Sequence, residues 1–143
     1  MKHIAAIALF VVASFLTAGK AIAQDHAVQA TVPFNFTVNS TTLPAGNYTL
    51  GSDISSSHVL RITDRQKGAH AMVVTQPSSA GNKEANVLVF HRYGNEYFLS
   101  EIRSDASSMY LRIPTSKQEK RAKAETEQAG LRTSSDDVIV ALY

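Results

Sequence analysis

The chain has 143 residues, 44% hydrophobic and 18% charged, with a formal net charge of +2 and no cysteine. That length suits one domain able to hold a core without staples, and the missing cysteine excludes disulfides, thiol chemistry and a lipid-anchored cysteine. The charge draws the chain toward neither nucleic acid nor anionic lipid: Lys2 and Lys20 lie in a leader, and without them the 14 basic residues fall level with the 12 acidic ones.

Lys2 and His3 open the chain, Ile4 to Leu16 is apolar or small apart from Ser14, and Ala21-Ile22-Ala23 precedes Gln24. A charged start, a short apolar run and an A-x-A site form a secretory signal peptide, with cleavage expected between Ala23 and Gln24. The run falls short of the roughly 20 apolar residues of a spanning helix. The working domain is therefore expected to be residues 24–143, in the periplasm or outside the cell.

From Val28 to Val38 the apolar residues fall on even positions, Val28, Ala30, Val32, Phe34, Phe36 and Val38, which predicts one strand with a buried face. Pro33 cannot donate a ladder hydrogen bond and places that strand at a sheet edge or gives it a bulge. Asn39 to Thr42 reads as a turn, Leu43-Pro44-Ala45-Gly46 as a tight turn, and Tyr48 with Leu50 as one face of a short strand. Gly51 to Ser57 reads as a Ser-rich loop. His58 to Thr63 and Ala69 to Gln76 form a hairpin around Asp64–Gly68, and Pro77 to Ala85 a polar exposed loop.

Asn86 to Arg103 predicts a hairpin around Gly94-Asn95, pairing His91 with Phe98, Phe90 with Leu99 and Arg92 with Tyr97. In unbroken register, Val87, Val89, His91, Phe98 and Ile102 share one face, and Leu88, Phe90, Tyr97 and Leu99 the other. A hairpin apolar on both sides is either central or a surface for a partner or a second copy. Met109 to Ile113 is a strand. Thr115 or Ser116 can cap a helix from Lys117 to Ala129, stopped by Gly130, whose only apolar residues are alanines. It is expected on the surface with weak packing. Val138 to Tyr143 is a last strand with Val138, Val140 and Leu142 inward.

The expected fold is all-β: a single small β-sandwich or partly closed antiparallel barrel of about seven to eight short strands, with one polar surface helix before the last strand. Four segments in order, VPFNFTV from Val32, LPAGNYTL from Leu43, FHRYGNEYFLSEI from Phe90 and PTSKQEKRA from Pro114, resemble an uncharacterised family of small exported bacterial β-rich proteins. The resemblance spans nearly the whole working domain and implies an exported β-rich fold. It brings no catalytic residue, cofactor or substrate.

The residues themselves show little chemistry. His26, His58, His70 and His91 make no metal-ligand spacing, and there is no G-x-S-x-G elbow or glycine-rich phosphate loop. Asp136 and Asp137 point to opposite faces of a strand and make a poor acid–base pair. No catalytic residue, metal or cofactor is expected. The candidate ligand-binding residues are His91, Arg92, Tyr93, Tyr97 and Glu101, although unbroken register sets His91 and Glu101 on opposite faces, and Arg92 on Tyr97 is equally an ordinary stabilising pair. The sequence points to an exported non-catalytic envelope or extracellular binding and interaction domain. Its partner would be neither nucleic acid nor a spanned membrane. The alternatives are a small outer-membrane β-barrel and a hydrolase of envelope carbohydrate.

Overall fold

The computed structural model describes residues 27–53, 56–79, 81, 84–130 and 136–143. The expected leader, the cleavage expected between Ala23 and Gln24, and His26 lie outside them, as do parts of the 51–57 and 77–85 segments. The described elements are β1 (Ala27–Val32), β2 (Phe36–Val38), β3 (Thr41–Leu43), β4 (Gly46–Asp53), β5 (Ser56–Asp64), β6 (His70–Val74), β7 (Gln76–Pro77), β8 (Val87–Tyr93), β9 (Glu96–Ser104), β10 (Met109–Arg112), α1 (Lys117–Gln128) and β11 (Asp136–Ala141). One sheet runs β1-β4-β5-β6; the other runs β11-β8-β9-β10-β7 and carries β2 and β3 beside β9. Together they make a curled half-barrel with one helix, the small all-β architecture expected, with more and shorter strands than the seven or eight anticipated. Ala30 bridges to Leu142, and Gln29 and Tyr143 exchange backbone hydrogen bonds, so the two sheets join along β1 and β11.

The first predicted strand is two. Beyond Val32 the missing N–H of Pro33 interrupts the ladder, and the chain crosses to the other sheet, where Thr37 pairs with Phe98 in parallel. Val28, Ala30, Val32, Phe36 and Val38 are buried as the alternation requires, while Phe34, at the crossing, is half-buried and stacks on Tyr97 at 4.1 Å. Thr37, on the side read as polar, is buried as well and meets the Thr42 hydroxyl at 3.2 Å. The turn read over Asn39 to Thr42 is confined to Asn39 and Ser40, and the Ser-rich stretch is partly strand, with β4 reaching Asp53 and β5 starting at Ser56.

Phe36 and Tyr48 meet edge to face at 5.2 Å, as do Phe36 and Phe90 at 5.3 Å, tying β2, β4 and β8 into one core with Leu50, Leu60 and Ile62. The Tyr48 hydroxyl donates to the Pro44 carbonyl at 2.6 Å, and burial, then the charge of Asp64, pushes its phenol up to about 12. Gly46 is required by proximity: a Cβ there would lie 2.7 Å from Asp64 Oδ2. Asp64 Oδ1 accepts the backbone N–H of Gln66 at 2.7 Å and of Lys67 at 3.1 Å, which hold its carboxyl below the usual range. These bonds shape the β5–β6 turn, where Gly68 takes the left-handed conformation at φ 69°. Val138, Val140 and Leu142 pack on the core from the last segment.

Candidate functional site

Five pairs of the β8–β9 hairpin decide what its outer face carries. Near the turn, Phe90 with Leu99, His91 with Phe98 and Arg92 with Tyr97 pair as the sequence predicts. Between Val89 and Phe90 the register shifts, so that Val89 pairs with Glu101 and Leu88 with Ile102. Ser100 is the extra residue of a β-bulge, and beyond it inward and outward positions exchange. Ile102 therefore joins Leu88, Phe90 and Leu99 in the main core, and Glu101 joins the face of His91. Both placements reverse those of the unbroken register. The signal was present in the sequence: Leu99 and Ile102 are three apart and cannot share a face at period two.

The helix α1 lies over this outer face. The Ser116 hydroxyl caps it by accepting the Glu119 N–H at 3.1 Å, choosing between the two cap candidates. Instead of returning to the cap, Glu119 sends its carboxylate inward to His91 Nδ1 at 2.7 Å. Its side chain is 7% exposed, that of His91 30%. Beneath the helix Tyr93, Phe98 and Ala122 form a second small apolar cluster. The outer face of the hairpin thus carries the chain's own helix, in line with the first of its two expected readings, a central hairpin. The helix sits on the surface as expected, attached both by the Glu119–His91 hydrogen bond and by the buried Ala122.

Around His91 the other side chains complete a network. Ser100 Oγ lies 3.0 Å from Nε2, and Asp137, paired with His91 across β8 and β11, brings Oδ1 to 3.9 Å from the same nitrogen. The Glu119 hydrogen bond, then the charges of Glu119, Asp137 and Glu101, raise the His91 pKa above its ordinary 6.5 against the opposing cost of burial. When charged, the ring donates from both nitrogens, to Glu119 and to Ser100. Glu101 is 10% exposed and accepts from Arg103 Nε at 2.9 Å and Nη2 at 2.6 Å, and from Arg112 Nη2 at 3.2 Å. It is a structural carboxylate held by two guanidiniums.

The five candidate residues do not converge. His91, Tyr93 and Glu101 lie on the helix side; Arg92 and Tyr97 lie on the other, with the Arg92 guanidinium 5.9 Å from the Tyr97 ring centre and its Nε donating to Gly94 at 2.9 Å. Among the described residues no three His, Asp or Glu side chains form a metal-binding group. Sequence reasoning missed Ser100 and Glu119, and weighed Asp137 only as a poor partner of Asp136.

Ser100, His91 and Glu119 have the connectivity of a nucleophile, a base and its orienting acid. The surroundings work against that use. Ser100 is 6% exposed, its carbonyl is engaged by the Ile113 N–H at 2.8 Å, and a general base must be neutral where this one is biased toward its charged form.

A second place offers access. A groove of about 410 Å³ opens where the end of β4 faces β7, β10 and the turn before β10. Met109 and Leu111 form its floor, and Pro77 and Tyr110 flank it. Serines rim it: Ser52 from β4, and Ser78, Ser107 and Ser108 from the segments flanking β7 and β10. These serines read as loop formers in the sequence, and only the fold gathers them. Comparison with family models, curated proteins and solved structures finds no match for this chain.

Proposed function

We propose that this is an exported binding domain that works without covalent chemistry, and that the groove beside β7 and β10 is its ligand site. The groove carries the reading: its volume, about 410 Å³, falls within the range of small-molecule sites, and apolar floors with a few polar groups are their usual construction. Export rests on the leader and its Ala21-Ile22-Ala23 site. Against an outer-membrane barrel stand the strand lengths, two to nine residues where a spanning strand needs roughly 9–11. No described helix is long and apolar enough to cross a membrane.

Two measurements test this. The protein recovered from the periplasm or medium should begin at Gln24. Hydrogen exchange of that protein with envelope extract should slow at residues 105–111 and at β7 and leave α1 unchanged. Full-length protein retained in the cytoplasm, or no protection at the groove, overturns the proposal. The Ser100–His91–Glu119 chain supports a second reading, a hydrolase of envelope carbohydrate or of its ester groups. A fluorophosphonate that labels Ser100, and no longer does so in His91→Asn, would establish acyl-transfer chemistry there.

A further inference from the structure

The groove has one property that narrows its ligand: among the described residues, the side chains lining it carry no formal charge. A charged ligand group seated there would lose water and gain no counter-charge from these residues, which disfavours it. Its floor is apolar, since Met109 and Leu111 belong to the main core. Its rim is hydroxyl-bearing, and each serine both donates and accepts. An apolar floor below neutral hydrogen-bonding groups matches a ligand with an apolar body and an uncharged polar head.

The rim is also preformed. Ser108 holds φ at 49°, a conformation that side-chain-bearing residues other than Asn and Asp seldom adopt. The Ser108 N–H donates to the Asp105 carbonyl at 3.1 Å, and the Ser107 N–H to Ser104 Oγ at 3.3 Å. Beside it in the same sheet the Ser78 N–H donates to the Tyr110 carbonyl at 2.8 Å, fixing the chain just past β7 to β10. Backbone strain kept in place by such bonds concentrates at ligand sites. The groove lies between the two sheets, with Ser52 from β4 and Leu111 from β10, and the mouths of curled β-sheets are favoured places for small ligands.

From these observations we infer that the groove binds a neutral amphiphile, an uncharged glyceride-like molecule whose acyl part lies on Met109 and Leu111 and whose hydroxyl or carbonyl groups meet the serine rim. The inference rests on the binding reading above and adds the ligand class.

The test uses the exported protein and the neutral fluorophore N-phenyl-1-naphthylamine. Its fluorescence should rise saturably, and monooleoylglycerol below its aggregation concentration should reverse the rise. Oleate, which carries a charge, and maltoheptaose, which lacks an apolar body, should not. Ser78→Glu sets a carboxylate in the lining and should weaken the fluorophore by about tenfold or more, with Ser78→Thr retaining binding. Ser107→Glu repeats the test from the turn before β10 should Ser78→Glu fail to fold. Met72→Glu, on the exposed apolar patch of β6, should change nothing. Absence of saturable binding, equal binding by both glutamate variants, or equal displacement by oleate or maltoheptaose overturns the ligand class. Groove protection by envelope extract without a fluorophore response would refute the amphiphile alone; loss of both would remove the binding reading too.

Discussion

On the inner face of the β8–β9 hairpin, Leu88, Phe90, Leu99 and Ile102 pack into the main core. On the outer face His91, Ser100 and Glu101 meet Glu119 of α1, Asp137 of β11 and two arginines. The same two strands therefore carry an apolar and a polar interface back to back. The inner face is held by area and shape, which tolerate small shifts. The outer face is held by hydrogen bonds beside a small apolar cluster, and hydrogen bonds fail when a donor moves by an ångström or so. A single extra residue, Ser100, serves both: it turns Ile102 inward and leaves Ser100 and Glu101 outward.

The largest expected effect breaks the inner face. Phe90→Ala removes a fully buried ring that meets Phe34 at 5.2 Å and Phe36 at 5.3 Å, and should cost about 3–5 kcal/mol in urea unfolding. A loss below about 1 kcal/mol would mean that the core closes without it. Glu101→Ala attacks the outer face and leaves the Arg103 guanidinium, 12% exposed, without its carboxylate. The expected cost is about 2–3 kcal/mol, reduced from the fully buried case because Arg112 is 55% exposed and can rehydrate. An unchanged unfolding midpoint would show that the pair only offsets its own desolvation.

Ser116→Ala should cost about 1 kcal/mol and speed hydrogen exchange in the first turn of α1, with the hairpin unaffected. The His91 contribution has a sign that pH can read. Its folded pKa is raised, so the stabilisation is complete below the unfolded value of 6.5 and is lost as pH rises through the folded value. The stability difference between the native chain and His91→Asn should therefore be largest below about pH 6.5 and shrink as pH rises through the folded value. A difference that grows with pH would mean that the folded chain prefers neutral imidazole, and would return weight to the general-base reading. The smallest effect belongs to Arg121→Ala: its pair with Glu125, at 3.7 Å, is exposed on both sides and should be worth less than about 0.5 kcal/mol.

Much of the fold was legible in the sequence. Alternation located the buried residues of β1 and β4 and the half-buried, core-facing residues of β11. Gly68 and Gly94, both left-handed, marked the two hairpin turns, and S-x-x-E with Gly130 bounded the helix to within a residue. Pro33 announced a break but not its scale, because a proline shows where a ladder stops and not which sheet receives the chain next. The candidate site was less legible. His91 was named, but its partners Glu119 and Asp137 lie 28 and 46 positions away, on a helix and a strand whose placement the hairpin alone does not state.

What the sequence determined by itself is local: strand period, turn chemistry, cap and stop, each set by neighbours within a few residues. The tertiary structure decided where α1 lands, which face Glu101 takes, and which serines gather at the groove. Those outcomes depend on the bulge and on the crossing at Pro33, and a one-residue change of register is settled only by packing the whole face it moves.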